Sequence, residues 1–214
     1  MLSKSRPPET LIPRSSIVDV VDAHGVQAVV GYRRVTSEWE RRAAAGTPAL
    51  TRPDTLDLLM GLPVGEAVPV SALSAPERRA LKAMPKGVVV RKNGTVTRQA
   101  VQPLQVDLAV VPGRGWESAM ALAERFTPFC ARAVLVDRPL RRRGEAMLQA
   151  DFYGIGLMTV VGNELDVLVP PRPFVKRRHS VAGWRFLEGL YGQLAQADLD
   201  LPATAGEAWP DQDC

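Results

Sequence analysis

The clearest alternation of apolar and polar positions lies in the second half of the chain. Across LQVDLAVV, Leu104, Val106, Leu108 and Val110 fall on one side of an extended strand, and Gln105 and Asp107 fall on the other. PGRG interrupts the strand, and Trp116, Met120, Ala123 and Phe126 then recur at the spacing of a helix face. ARAVLVD, residues 131–137, is a short apolar strand ending in an acid. Residues 141–150 read as a helix with a basic start, and residues 155–161 as a further strand. A GNE turn leads into LDVLVP, an antiparallel partner, and Val181, Trp184, Leu187, Tyr191 and Leu194 mark a closing amphipathic helix. The order β-α-β-α-β-β-α predicts an α/β layer on a mixed sheet.

Upstream the signals are local caps and turns. Residues 1–14 are Pro-rich and predict a flexible arm. SSIVDVVDAHG offers a Ser N-cap, apolar Ile17, Val20 and Val21, and a closing Gly25, which predicts a short helix. A second short helix is expected over 26–31, a turn over 32–34, and a third helix over 37–45 with Thr36 as N-cap and Gly46 as stop. Prolines punctuate 47–76, leaving room for a helix near 54–60 and an extended VPVSAL. Ser74-Ala75-Pro76-Glu77 is a capping box that opens a helix through Met84. In GVVVRKNGTVTRQAV the Asn93-Gly94 pair predicts a type I′ hairpin turn. Closing the strands on it sets Lys92 against Thr95, Arg91 against Val96, Val90 against Thr97 and Val89 against Arg98. The expected division is an arm at 1–14, a helical region at 15–86, an α/β domain at 87–197 and an acidic tail at 198–214.

Composition adds a charge asymmetry. All 27 bases lie before residue 186, whereas six of the 23 acids (Glu188, Asp198, Asp200, Glu207, Asp211 and Asp213) lie after it. A basic body points to a polyanionic partner, with the acidic tail as a competitor for the same surface. Of the 27 bases 22 are Arg, the side chain whose fork suits phosphates and base edges. No apolar run reaches the ~18 residues of a membrane span, and prolines occupy the place of a signal peptide's apolar stretch. A cytoplasmic protein with no membrane partner is therefore expected. Cys130 and Cys214 make neither a disulfide framework nor a metal-binding spacing. There is no phosphate loop and no Gly-x-Ser-x-Gly, and Gly154 and Gly156 precede a strand, so no cofactor is expected. The two histidines, His24 and His179, suggest no catalytic dyad.

Three stretches carry resemblances. The expected helices over 17–45, with Ala28 and Val35 at the packing positions, resemble a helix-turn-helix, which implies groove or phosphate contacts from Ser37, Glu38, Arg41 and Arg42. The helix through Met84 followed by a basic hairpin resembles a winged helix. Residues 87–174, through VDLAVV, AVLVD, YGIGLMTVV and VPPRPF, resemble the restriction-endonuclease-like (PD-(D/E)xK) superfamily in topology. That likeness implies Asp107 as the first metal-binding acid. None of the five lysines has an acid two residues before it, so the acid-x-Lys half of the motif is missing. Glu117, Asp137, Glu164 and Asp166 would enter such a site only by departing from the pattern. The plainer reading of Asp107 is an ion pair with a facing Arg.

These signals predict a non-enzymatic, DNA-binding or DNA-associated protein of regulator type on double-stranded DNA. Candidate contacts are Arg33, Arg34, Arg41, Arg42, Arg91, Lys92, Arg98, Arg141, Arg142, Arg143, Lys176, Arg177 and Arg178. If RPLRRR and PRPFVKRRH leave the sheet at one edge, they join Arg91, Lys92 and Arg98 in a single phosphate-binding surface. Two other readings stand beside it. One is a divergent nuclease using Asp107 with Asp137 or Glu117, which alone would need a divalent metal. The other is a protein-interaction or antitoxin-like adaptor, or a homodimer, burying Trp39, Trp184 or the acidic tail against another chain.

Overall fold

β-branched content decides the first two elements. In the computed structural model, which describes residues 11–161, 164–176 and 178–200, IVDVVDA and VQAVVGYRR are strands and not the two expected helices. β1 (Ile17–Ala23) and β2 (Val26–Arg34) pair antiparallel across a two-residue turn at His24 and Gly25, both left-handed at φ 53° and 70°. The valines at 18, 20, 21, 26, 29 and 30 are stiff against a preceding helical turn but fit a pleated surface. Strand β2 also runs through the turn expected at 32–34. Only the last expected helix of this region forms, as α1 (Thr36–Ala45), ended by left-handed Gly46 at φ 62°. A helix-turn-helix over 17–45 is thereby excluded.

The large sheet has six strands in the order β1-β2-β6-β7-β8-β9, completed by β6 (Leu104–Gly113), β7 (Ala131–Val136), β8 (Gly156–Val161) and β9 (Glu164–Val169). β6, β7 and β8 run parallel and the other pairs antiparallel, the mixed sheet that the second half of the sequence predicts. α4 (Trp116–Ala123), α5 (Arg143–Tyr153) and α6 (Val181–Asp200) supply Ala119, Ala146, Leu187 and Leu190 to one core with Val30, Val111 and Val134 of the sheet. Leu108, Val110, Ala133 and Met158 face the other way, toward Ile12. Each large aliphatic side chain so buried contributes about 1.5–3 kcal/mol.

One register detail overturns the simple alternation of β6. Tyr32 pairs with Val106 while Gly31 pairs with Leu108, leaving Asp107 as the extra residue of a bulge. Leu104 and Val106 therefore share the helix-covered face with Ala109 and Val111, and Leu108 and Val110 turn to the opposite face.

Between β2 and β6 the chain leaves this sheet and builds a small unit. After α1 come α2 (Pro53–Gly61), β3 (Ala67–Pro69), α3 (Ala75–Lys82), β4 (Val89–Lys92) and β5 (Thr95–Arg98), with the three strands ordered β3-β5-β4. The hairpin register is the predicted one at all four pairs, and Asn93 and Gly94 are left-handed at φ 49° and 72°. Leu58, Leu62, Leu73, Ala80, Leu81 and Val96 form the unit's own core. Leu50, Leu56, Leu59, Val88 and Ala100 bury against Trp184 of α6 and seat the unit on the sheet.

Candidate nucleic-acid interface

α3 owes its start to the predicted capping box. Ser74 Oγ accepts from the Glu77 amide at 3.4 Å, and Glu77 Oε2 accepts from the Ser74 amide at 2.6 Å. The hydrogen bonding from Ser74 holds the Glu77 carboxyl below its ordinary value. Ala80 and Leu81 pin the helix to the small core, which leaves Arg78, Arg79 and Lys82 in solvent. Arg91 of β4 donates to the carbonyl of Leu81, so the hairpin is tied to the end of α3. Lys92 projects at the hairpin tip, and Lys86 is exposed between helix and hairpin. Arg78 donates to the Leu73 carbonyl, and Arg79 reaches the Ala75 carbonyl at 3.4 Å. Among the described residues none of these six cations forms an ion pair. The result is a cationic ridge formed by the face of α3 and the adjoining hairpin.

Five of the arginines expected at such a surface are occupied elsewhere. Arg42 is buried and donates to both carboxylate oxygens of Glu188, at 2.7 and 2.8 Å, and to Glu38 Oε1 at 2.6 Å. Burial alone would pull its pKa down, but its bonds and attraction to Glu188 and Glu38 hold it above the ordinary value. Arg41 pairs with Glu38 at 2.7 Å and donates to the Gly87 carbonyl. Arg33 forks onto Asp107, with Nη2 at 2.7 Å, and Ser16 Oγ donates to the same carboxylate at 2.8 Å. Arg34 pairs with Asp198 at 2.6 Å and lies 4.1 Å from the Trp39 ring centre. Arg98 donates to the carbonyls of Ala100, Leu59 and Leu62 beneath the Trp184 ring, and burial lowers its pKa. These side chains join elements and are committed to protein partners. Of the helix-turn-helix candidates, Ser37 is exposed and Glu38 is buried with Arg42.

The two Arg-rich loops leave the sheet at opposite ends of its strands, not together at one. Residues 137–142 follow the carboxyl end of β7, where Arg141, Arg142 and Arg143 are exposed. β9 runs back along β8, so residues 170–180 emerge where β7 and β8 begin. There Lys176 donates to Gln102 at 2.8 Å, burial lowers its pKa, and Arg178 is exposed. Arg177 lies outside the described residues. The same topology separates the acids of the nuclease reading. Asp107 sits early on β6, whereas Glu117 and Asp137 follow the far ends of β6 and β7, roughly 20 Å away at the rise of a strand. Among the described residues no three His, Cys, Asp or Glu side chains stand together as a metal site.

Arg78, Arg79, Lys82 and Arg114 are surface cations that the sequence reading left out. The signal for the first three was present, because a capped helix with buried Ala80 and Leu81 must turn positions 78, 79 and 82 outward. No described helix is long and apolar enough to cross a membrane. Compared with known proteins, the chain matches no family model, no curated protein and no solved structure.

Proposed function

We propose that the protein binds double-stranded DNA through α3 and the β4–β5 hairpin, as a non-enzymatic, regulator-type DNA-associated protein. The observation that carries this reading is the unpaired cationic ridge of Arg78, Arg79 and Lys82 beside Arg91 and Lys92. The surrounding elements support the reading, because a helix, a short strand, a second helix and a hairpin whose second strand lies centrally follow one another as in part of a winged helix. In such an arrangement the helix before the hairpin enters the major groove and the hairpin follows the backbone. The six-stranded domain behind it carries Asp107, the first acid of the nuclease reading. That carboxylate is committed to Arg33 and Ser16, which favours a binding role over metal-dependent cleavage.

The test is fluorescence anisotropy on a random duplex across a salt series, using the full chain and a chain ending at residue 200. That end point matters because α6 runs to Asp200 and buries Glu188 in the core. Affinity is expected to fall with salt by about 0.9 log unit per log unit of salt for each phosphate contact. Arg79→Gln with Lys82→Gln should weaken binding and reduce that slope by roughly 2. Removing residues 201–214, which hold Glu207, Asp211 and Asp213, should strengthen binding. A duplex affinity that ignores both salt and the α3 substitutions would sink the reading.

A further inference from the structure

At the other end of the sheet a cleft of about 810 Å³ opens beyond the carboxyl ends of β6 and β7. Its walls are the first turns of α4 and α5, and Arg114, Arg138, Arg141 and Arg142 line it. The PGRG segment makes this possible. Gly113 ends β6 where a Cβ would meet the Cβ of Ala119 at 2.5 Å, so only glycine lets α4 fold back closely over the strand end. Trp116 is buried and donates from Nε1 to Gln149 Oε1 at 2.8 Å, fastening the start of α4 to α5 as a fixed floor.

The charge in this cleft is unspent. Among the described residues Arg114, Arg138 and Arg141 have no hydrogen-bond or ion-pair partner, and Arg142 only approaches Glu145 at 3.5 Å. Four guanidinium groups face two lining carboxylates, Glu117 and Glu145, an excess of two positive charges. Four like charges converging on one concavity repel one another, and a dianion placed among them relieves that repulsion. The cleft volume lies within the range of small-ligand pockets, and crevices outside the carboxyl ends of parallel strands are where α/β sheets hold such ligands. Neither helix has a side-chain cap at its N-terminus, so the first-turn amides add donors to the guanidinium forks. A recessed cleft receives a terminal phosphate group, whereas a duplex presents its phosphates on a convex surface.

The geometry points to a binding site for a small phosphorylated ligand of nucleotide size, with Arg138 and Arg141 as its principal phosphate contacts. The site lies at the end of the sheet opposite the junction with the α2–α3 unit, so it stands independently of the DNA-binding reading. The test is isothermal titration calorimetry of the full chain with sodium pyrophosphate and with adenosine 5′-diphosphate, each at constant ionic strength. Both are expected to bind the unaltered protein. Arg138→Gln with Arg141→Gln should weaken both at least about tenfold, as expected for charge-assisted hydrogen bonds. Arg79→Gln with Lys82→Gln should leave both unchanged. Since Arg138 and Arg141 are exposed and unpartnered, the cleft variant keeps its fold, and matched thermal melts check this. Absence of binding by the unaltered chain overturns the proposal, as does equal binding by the cleft variant. Equal weakening by the α3 variant would assign the signal to general cationic attraction and also overturn it. If the cleft variant loses duplex affinity as strongly as pyrophosphate affinity, the cleft is a nucleic-acid surface and the small-ligand proposal fails.

Discussion

Replacing Arg42 by Met tests the packing that joins the small unit to the sheet. The Arg42 side chain is fully buried, as are those of Glu38 and Glu188 to within 1 %. Its guanidinium also donates to the Val101 carbonyl at 3.3 Å and lies 4.6 Å from the Tyr191 ring centre. In Arg42→Met the aliphatic stem is replaced by one of similar reach, so the packing loss is small. What remains is Glu188 with two neutral donors, the Leu50 amide at 2.8 Å and Trp184 Nε1 at 2.9 Å, and no cation. Glu38 keeps Arg41, so Glu188 is the stranded charge. Stranding a buried charge costs about 3–5 kcal/mol. For a chain of this length that is a fall in Tm of roughly 6–20 °C. Urea unfolding followed by tryptophan fluorescence gives the free energy from midpoint and slope. The companion variant Glu188→Gln retains an acceptor for Leu50 or Trp184 but removes the charge. Combined with Arg42→Met it should be less damaging than the sum of the single changes by about 1–3 kcal/mol. A loss below about 1 kcal/mol for Arg42→Met, or strict additivity in the double variant, would refute the assignment.

Three further outcomes are expected. Gly87 is left-handed at φ 85°, and a Cβ there would meet Thr47 Oγ1 at 2.5 Å and the Ala45 Cβ at 2.6 Å, so Gly87→Ala should cost roughly 2 kcal/mol or more in urea unfolding; a loss of a few tenths would contradict the close seating of the α3–β4 link on α1. His24 stacks on Phe129 at 4.9 Å, and burial followed by the charge of Arg125 hold its pKa below 6.5. Its stabilising contribution is complete above pH 6.5 and declines as pH falls toward the lowered folded value, because the unfolded chain then binds the extra proton. His24→Gln should flatten that part of the stability profile, and an unchanged slope would contradict it. Burial pushes the Cys130 thiol up to about 12, so in a Cys214→Ser chain a disulfide reagent at mildly alkaline pH should label Cys130 only once urea unfolds the protein. Rapid labelling of the native chain would count against that burial.

Elements decided by local chemistry were legible in the sequence. Asn93-Gly94 determined a hairpin register that holds at all four pairs, and Ser74 with Glu77 opened α3 where expected. The strands and helices from Leu104 onward followed from alternation and helical spacing. β1 and β2 were missed because a Ser cap and a closing Gly outweighed six valines, whose preference is realised when the β1–β2 hairpin joins the sheet through β6 about 75 positions later. The bulge at Asp107 was invisible for the same reason, since it exists only in the register between two distant strands.

The arginines show this dependence on distance most plainly. Arg42 on α1 and Arg79 on α3 are the same residue type on short helices of similar character, and the local pattern marks both as surface bases. Their fates diverge because Glu188, 146 residues away, reaches Arg42, and no described acid reaches Arg79. A desolvated guanidinium needs such a partner, since its burial without one costs several kcal/mol. Glu188 and Asp198 complete ion pairs that anchor α1 and β2 to α6, and their charge is spent within the fold. Charge available to a partner is what remains after such pairs are removed, as on the ridge of α3 and its hairpin and in the cleft beyond β6 and β7. Net charge overstates the first surface and conceals the second, because only the tertiary pairing tells which arginines are free.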